Sequence, residues 1–204
     1  MTRAFVATLV ALCVATTTFA AWVRSAATPP ASDVALDRAA KPLVIPAHAA
    51  VAVVAGGCFW GTQEALRTVP GVLATQVGYT GGTAPNPTYH TAHRQGSGYV
   101  EATQIVYDPA RVGYETILAA FFAAHDPTAP RPGSPTGAAY RSFVWAQNPA
   151  QAKSARAVIA LFNKSARFAY PVATQVLPAL PFHPAEERHQ LYYATRNGAA
   201  QCLR

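Results

Sequence analysis

Charge is scarce in this chain, and acid is scarcer than base. Nine Asp and Glu stand against sixteen Lys and Arg in 204 residues. The net charge of +7 and a pI near 9.6 would suit nucleic acid if the basic residues formed a stripe. They are scattered singly and no nucleic-acid motif accompanies them, so a solvated basic surface is expected and a nucleic-acid partner is not. Cysteine is equally rare: Cys13, Cys58 and Cys202 are the only three, and neither Cys-x-x-Cys nor His-Glu-x-x-His occurs. Although His90 and His93 could lie close together, no metal site is expected from such spacing, and nothing calls for a cofactor. Internal repeats and low-complexity blocks are missing beyond residue 50. That leaves roughly 155 residues for a single domain, enough to bury a good core.

One long uncharged run exists, and it lies at the start. Met1-Thr2-Arg3 precedes a stretch from Ala4 to Val23 rich in Ala, Val and Thr. A basic start, an apolar centre and small residues near Thr18-Phe19-Ala20 or Ser25-Ala26-Ala27 read as a secretory signal peptide over residues 1–27. The run is also long enough for an uncleaved membrane anchor, but its poverty in Leu and Ile favours cleavage. Residues 28–49, rich in Ala and Pro, read as a linker. The expected location is therefore outside the cytoplasm, in a bacterial periplasm, or on its membrane if the segment stays attached. Cys13 falls inside the leader and is given no role.

The most informative stretch is Val51-Ala-Val-Val-Ala-Gly-Gly-Cys58-Phe-Trp-Gly61. Small and β-branched residues form a short buried strand, two glycines turn the chain, and Thr62 to Val69 has helix-forming composition ending at Pro70-Gly71. Cys58 is then expected at a strand-to-helix turn, where unpaired N–H groups and the helix dipole converge. Such a setting can bring a thiol from about 8.5 to roughly 3.5–7.5, making it a thiolate at neutral pH. Phe59 and Trp60 beside it offer an apolar wall. A small cysteine filling core space is the alternative; the glycine pair and the helix start favour a nucleophile.

Downstream, Val72 to Tyr79 reads as a strand and Thr80 to Thr88 as a turn-rich loop carrying Tyr89. Tyr99 to Tyr107 alternates as a strand with Tyr99, Glu101, Thr103, Ile105 and Tyr107 on one face. Tyr114 to Ala124 is a helix with Ile117, Leu118, Phe121 and Phe122 in one stripe. His125 to Ala139 is a loop, Arg141 to Ala146 a short strand, and Pro149 to Arg167 the longest helix. Val172 to Leu177 closes the strands, and Ala185 to Thr195 is a last helix. Helices interleaved with short strands predict an α+β two-layer sandwich.

Gly57-Cys58-Phe59-Trp60-Gly61 and its companions resemble the A-type peptide methionine sulfoxide reductases, over about Val51 to Gly198. The resemblance implies a ferredoxin-like core with long coil segments. It also implies thiol-dependent reduction of methionine-S-sulfoxide, free or in oxidised proteins, through a cysteine sulfenic acid, with a thioredoxin-like reductant and a monomeric enzyme. Cys58 is then the nucleophile, and Cys202, on a tail past Asn197-Gly198, is expected to resolve the sulfenic acid by a disulfide, a surface thiol on a frayed end being the alternative. Glu101, in Gly98-Tyr99-Val100-Glu101 where the family reads Gly-His-Ala-Glu, is the general acid, since a carboxylic acid kept neutral near pH 7 can donate. Tyr89 and Tyr140 match tyrosines that bind the sulfoxide oxygen, and Phe59 and Trp60 hold the methyl.

Two departures stand out. Pro135 occupies a family aspartate position, and His183 replaces a tyrosine in Phe182-His183-Pro184-Ala185-Glu186. Pro135, between Ser134 and Thr136, motivates an alternative: a binding protein that keeps the pocket but has lost efficient chemistry. A Cys–His hydrolase using Cys58 with His125 or His189 is a third reading, for which no oxyanion motif is visible.

Overall fold

Val51 to Ala55 carries two alternating sets of small apolar side chains, and that run becomes the central strand because both faces are covered. The computed structural model describes residues 38–128, 138–165 and 167–196. The leader, the start of the linker, Ser134 to Thr136 and Cys202 lie outside them. In chain order the elements are β1 (Ala50–Ala55), α1 (Phe59–Arg67), β2 (Val72–Thr80), α2 (Tyr89–Ala92), β3 (Val100–Tyr107) and α3 (Tyr114–Ala123). They continue with β4 (Phe143–Ala146), α4 (Pro149–Lys164), β5 (Gln175–Pro178), β6 (His183–Pro184) and α5 (Tyr192–Thr195).

The sheet runs β5-β4-β1-β3-β2-β6. Its inner four strands are antiparallel throughout and are joined as β1-α1-β2-β3-α3-β4, the ferredoxin-like core that the resemblance implies. β5 adds in parallel to β4 at one edge and β6 antiparallel to β2 at the other. On one face Ala52, Val54, Ile105 and Val144 pack against Leu66 of α1, Ile117, Leu118, Phe121 and Phe122 of α3, and Ala155 of α4. Each fully buried side chain of the Leu or Phe kind contributes about 1.5–3 kcal/mol, so this layer dominates stability. The opposite face carries Val53, Ala55, Val100, Ala102, Phe143 and Trp145, extended by Leu177 of the neighbouring β5 and packed against Phe182.

Three expectations change. The helix expected over Ala185 to Thr195 is broken: a 3-10 turn covers Glu187–His189, Leu191 is left-handed at φ 49°, and only Tyr192–Thr195 is α-helical. The cause is a competing set of bonds. The Gln190 amide both accepts from Val77 N–H (3.0 Å) and donates to Val77 C=O (2.9 Å), while Leu191 N–H donates to Gln63 Oε1 (2.8 Å). Those contacts fasten the segment to β2 and α1 in a shape no helix allows. Second, the strand expected from Val172 starts at Gln175. Third, Tyr99 precedes β3 and packs with Phe59, Val77, Tyr79 and Ala185 instead of Ile105 and Tyr107. The end of the linker is also anchored: Ala40 N–H donates to Ala185 C=O (2.9 Å), Glu187 N–H to Arg38 C=O (2.9 Å), and the Gln76 amide to Lys41 C=O (2.7 Å).

Candidate active site

The two glycines before Cys58 do different work. Gly57 adopts φ 79°, the left-handed region. Gly56 does not; a Cβ there would lie 2.6 Å from the Phe121 ring and 2.9 Å from the His125 ring, so it permits close packing of the turn on α3. Gly57 N–H donates to Tyr140 C=O (3.2 Å), which ties the turn to the Ala138–Tyr140 3-10 segment. Cys58 follows as the N-cap of α1 with extended backbone, half-buried, and its side chain does not cap the helix. The sulfur therefore stands at the positive end of a nine-residue helix.

Glu101 takes up the first orphan donor of that helix. Phe59 N–H donates to its Oε2 at 2.9 Å, and the side chain is only 2% exposed. Its other oxygen lies 3.0 Å from His93 Nε2. The two atoms form an ion pair when the imidazole is charged. His93 Nδ1 is 2.7 Å from Tyr89 C=O, an acceptor only, so Nδ1 is the donor there. The contact with Glu101 raises the His93 pKa above its ordinary value against the opposing pull of burial.

Both tyrosines converge here. The Tyr89 ring stacks 4.2 Å from the His93 ring, and the Tyr140 ring lies 5.8 Å from it. Burial pushes the Tyr140 hydroxyl pKa well up, with Glu101, Tyr89 and Cys58 adding to the shift, so this phenol is a donor at neutral pH. Tyr89 is placed from below by Glu186, which accepts from Tyr89 N–H and from the Tyr79 hydroxyl, both at 2.9 Å. Phe59 is buried, its ring packed against Trp60, Tyr79 and His189. It gives the site a backbone donor; Trp60 beside it is half-buried. Tyr192 stacks on Trp60 at 3.7 Å and 7°. His189, neutral because burial lowers its pKa to about 4, fills the space between Trp60, Phe59 and Tyr89.

The hydrolase reading loses one partner. Both ring nitrogens of His125 are engaged, Nδ1 with Phe121 C=O (2.8 Å) and Nε2 with Ser142 Oγ (2.9 Å). Two departures from the family pattern turn out to touch: the Tyr99 and His183 rings meet edge to face at 5.8 Å and 88°. The family order of His then Tyr is here Tyr then His, and one ring pair accommodates the exchange. Sequence reading missed His93, Glu186 and the Phe59 N–H. Only the spacing of His93 behind Tyr89, on one short helix, was a signal for the first.

Among the described residues no group of three His, Cys, Asp or Glu side chains is arranged to hold a metal ion. Glu101, held to the N–H of the residue after Cys58, and Tyr89 and Tyr140, both against His93, gather at the start of α1.

Known proteins match the same part of the chain. A peptide methionine sulfoxide reductase from Methanoculleus marisnigri is 46% identical over 147 residues, covering 72% of this chain and 89% of the relative. The solved methionine sulfoxide reductase A of Corynebacterium diphtheriae superposes with a TM-score of 0.68 at 29% identity, over 78% of this chain and 84% of that one. Reduced Mxr1 from Saccharomyces cerevisiae gives a TM-score of 0.65 at 26% identity, over 78% of this chain and 92% of that one. The family model described as peptide methionine sulfoxide reductase matches residues 50–203, and this chain belongs to that family.

Proposed function

We propose that this protein reduces methionine-S-sulfoxide, free or within oxidised proteins, with Cys58 as nucleophile. The observation that carries the reading is the junction of Cys58, at the N-cap of α1, with Glu101, which is held to the next residue's N–H. The Cys58 thiolate attacks the sulfoxide sulfur while the oxygen accepts a proton from Glu101. Cys58 gives up two electrons and ends as a sulfenic acid carrying that oxygen and proton; the substrate leaves as the thioether. The Tyr140 and Tyr89 hydroxyls bind the oxygen as its charge grows. Trp60 faces the methyl.

Cys202 then attacks the sulfenic sulfur, a 58–202 disulfide forms and water leaves. A thioredoxin-like dithiol, as the family resemblance implies, restores both thiols. The leader-like residues 1–27 support export, where the substrates would be oxidised exported proteins and the reductant would draw electrons from the cytoplasm. Resolved sulfoxide epimers with dithiothreitol test the activity: methionine should form from the S epimer alone. Equal consumption of both epimers, or of neither, would contradict it.

A further inference from the structure

The mechanism requires Glu101 to hold a proton, yet this carboxyl accepts an N–H bond and is almost sealed from water. Something else must supply the proton. Among the described residues, the titratable side chain that an ion-pair contact joins to Glu101 is His93.

Its geometry leaves one choice. Nδ1 must carry hydrogen, because its partner at 2.7 Å is the Tyr89 carbonyl. Nε2 is then the only variable site, and Glu101 Oε1 lies 3.0 Å from it. Two lone pairs at that distance repel; a single proton on either atom makes the contact attractive. The pair is therefore built to hold one proton between them. Nε2 itself is buried, so it cannot reach substrate directly and must act through Glu101.

We propose that His93 is the positioning residue and proton reserve of Glu101: the pair carries one shared proton into the sulfoxide-reducing step, and Glu101 delivers it. The proposal rests on the reductase reading above. The step balances as Cys58 thiolate plus the singly protonated pair plus sulfoxide, giving sulfenic acid, thioether and the unprotonated pair. No outside oxidant or reductant enters. The groups facing His93 are Glu101 from β3, Tyr89 on its own helix, Tyr140 from the 3-10 turn, and Glu186 and His189 from the C-terminal segment. Glu101 dominates the environment and favours the charged imidazole, Glu186 adds in the same sense, and burial opposes both.

Two variants separate proton supply from scaffolding. His93→Gln can still offer a donor towards Glu101, and His93→Asn a donor to the Tyr89 carbonyl, but neither titrates. Single-turnover oxidation of Cys58 by methionine-S-sulfoxide is followed across pH, and the variant-to-parent ratio cancels the thiol's own ionisation. Both variants should be on the order of 10–10²-fold slower at about pH 8. The deficit should shrink as pH falls, since a residue that does not titrate limits proton supply least where protons are abundant. A ratio that is flat with pH, or no loss at all, overturns the proposal while leaving the parent's activity as the separate test of the reductase reading. Should the variants fail to fold, ring-carbon NMR of the parent decides. His93 should titrate above free histidine, and its titration should fall in Glu101→Gln; an identical curve in both proteins overturns the pairing.

Discussion

Two histidines on either side of the Gly56-Gly57 turn show how neighbours decide what a ring does. His125 lies in the helix layer, hydrogen-bonded through Nδ1 to Phe121 C=O and through Nε2 to Ser142 Oγ, which in turn meets Thr174 Oγ1 at 2.6 Å. Burial outweighs the Phe121 carbonyl and the more weakly acting Asp126 carboxylate and lowers its pKa to about 4. His93 is half-buried and has the Glu101 carboxylate against Nε2, and its pKa moves the other way. The first histidine is a neutral bracket that holds the turn to the core. The second belongs to the chemistry in front of it. Burial alone would have made them alike; a carboxylate in direct contact with the ring separates them.

The separation predicts that changes in front of the turn alter rate and changes behind it alter stability. Cys58→Ser should abolish turnover in an epimer-resolved assay while leaving the unfolding midpoint within error, since the sulfur is both nucleophile and oxygen acceptor. Glu101→Gln should lower the single-turnover rate by about 10²–10⁴-fold, the span of a positioned general acid. An unchanged rate would remove Glu101 from the mechanism.

Behind the turn, acid should act through His125. A histidine whose folded pKa is depressed favours the folded state fully above its unfolded value of 6.5 and loses that advantage as pH falls towards about 4. The loss between neutral pH and pH 4 is on the order of 3 kcal/mol, read from denaturant melts. His125→Asn, which keeps a donor for Phe121 C=O, should flatten that slope. His189 adds in the same sense, whereas His93, raised, contributes stability below 6.5 that is lost as pH rises through its folded value. Gly56→Ala should cost about 1–3 kcal/mol by forcing a methyl into the Phe121 and His125 rings. Smallest is Tyr140→Phe, a single hydroxyl, expected to slow single turnover about tenfold with the same unfolding midpoint. A larger loss of stability than of rate would place Tyr140 with the bracket instead.

How far the sequence could show this varies by region. β1 and the Cys58 turn were legible because local signals agree there: a continuous apolar run, a Gly pair, then helix formers. The inner ferredoxin-like order came with the resemblance, since strand order rests on long-range pairing that no local pattern carries. The C-terminal segment misled for the same reason. Ala185 to Thr195 has helical composition, but Gln190 and Gln63 side chains replace the helix's own bonds with bonds to β2 and Leu191. Glu101 is legible by motif and its face by alternation, the same α1-facing side as Ile105 and Tyr107, but its bond to the Phe59 N–H and its contact with His93 come from elements that β3's own pattern does not include. β6, two residues ending in Pro184, and the short α2 are below the length at which periodicity means anything.

The central claim is that Cys58 takes oxygen from one epimer only. Met1 is the sole methionine in the chain, so an oxygen gained elsewhere is not on a methionine side chain. The decisive measurement is a reductant-free reaction of reduced protein with one equivalent of each epimer, reading methionine released and the mass of the peptide bearing Cys58. The S epimer should yield one methionine per protein, with Cys58 gaining one oxygen or bridging to Cys202, and the R epimer should yield none. Release of no methionine from the S epimer, or release with Cys58 still a thiol and unbridged, would contradict the account.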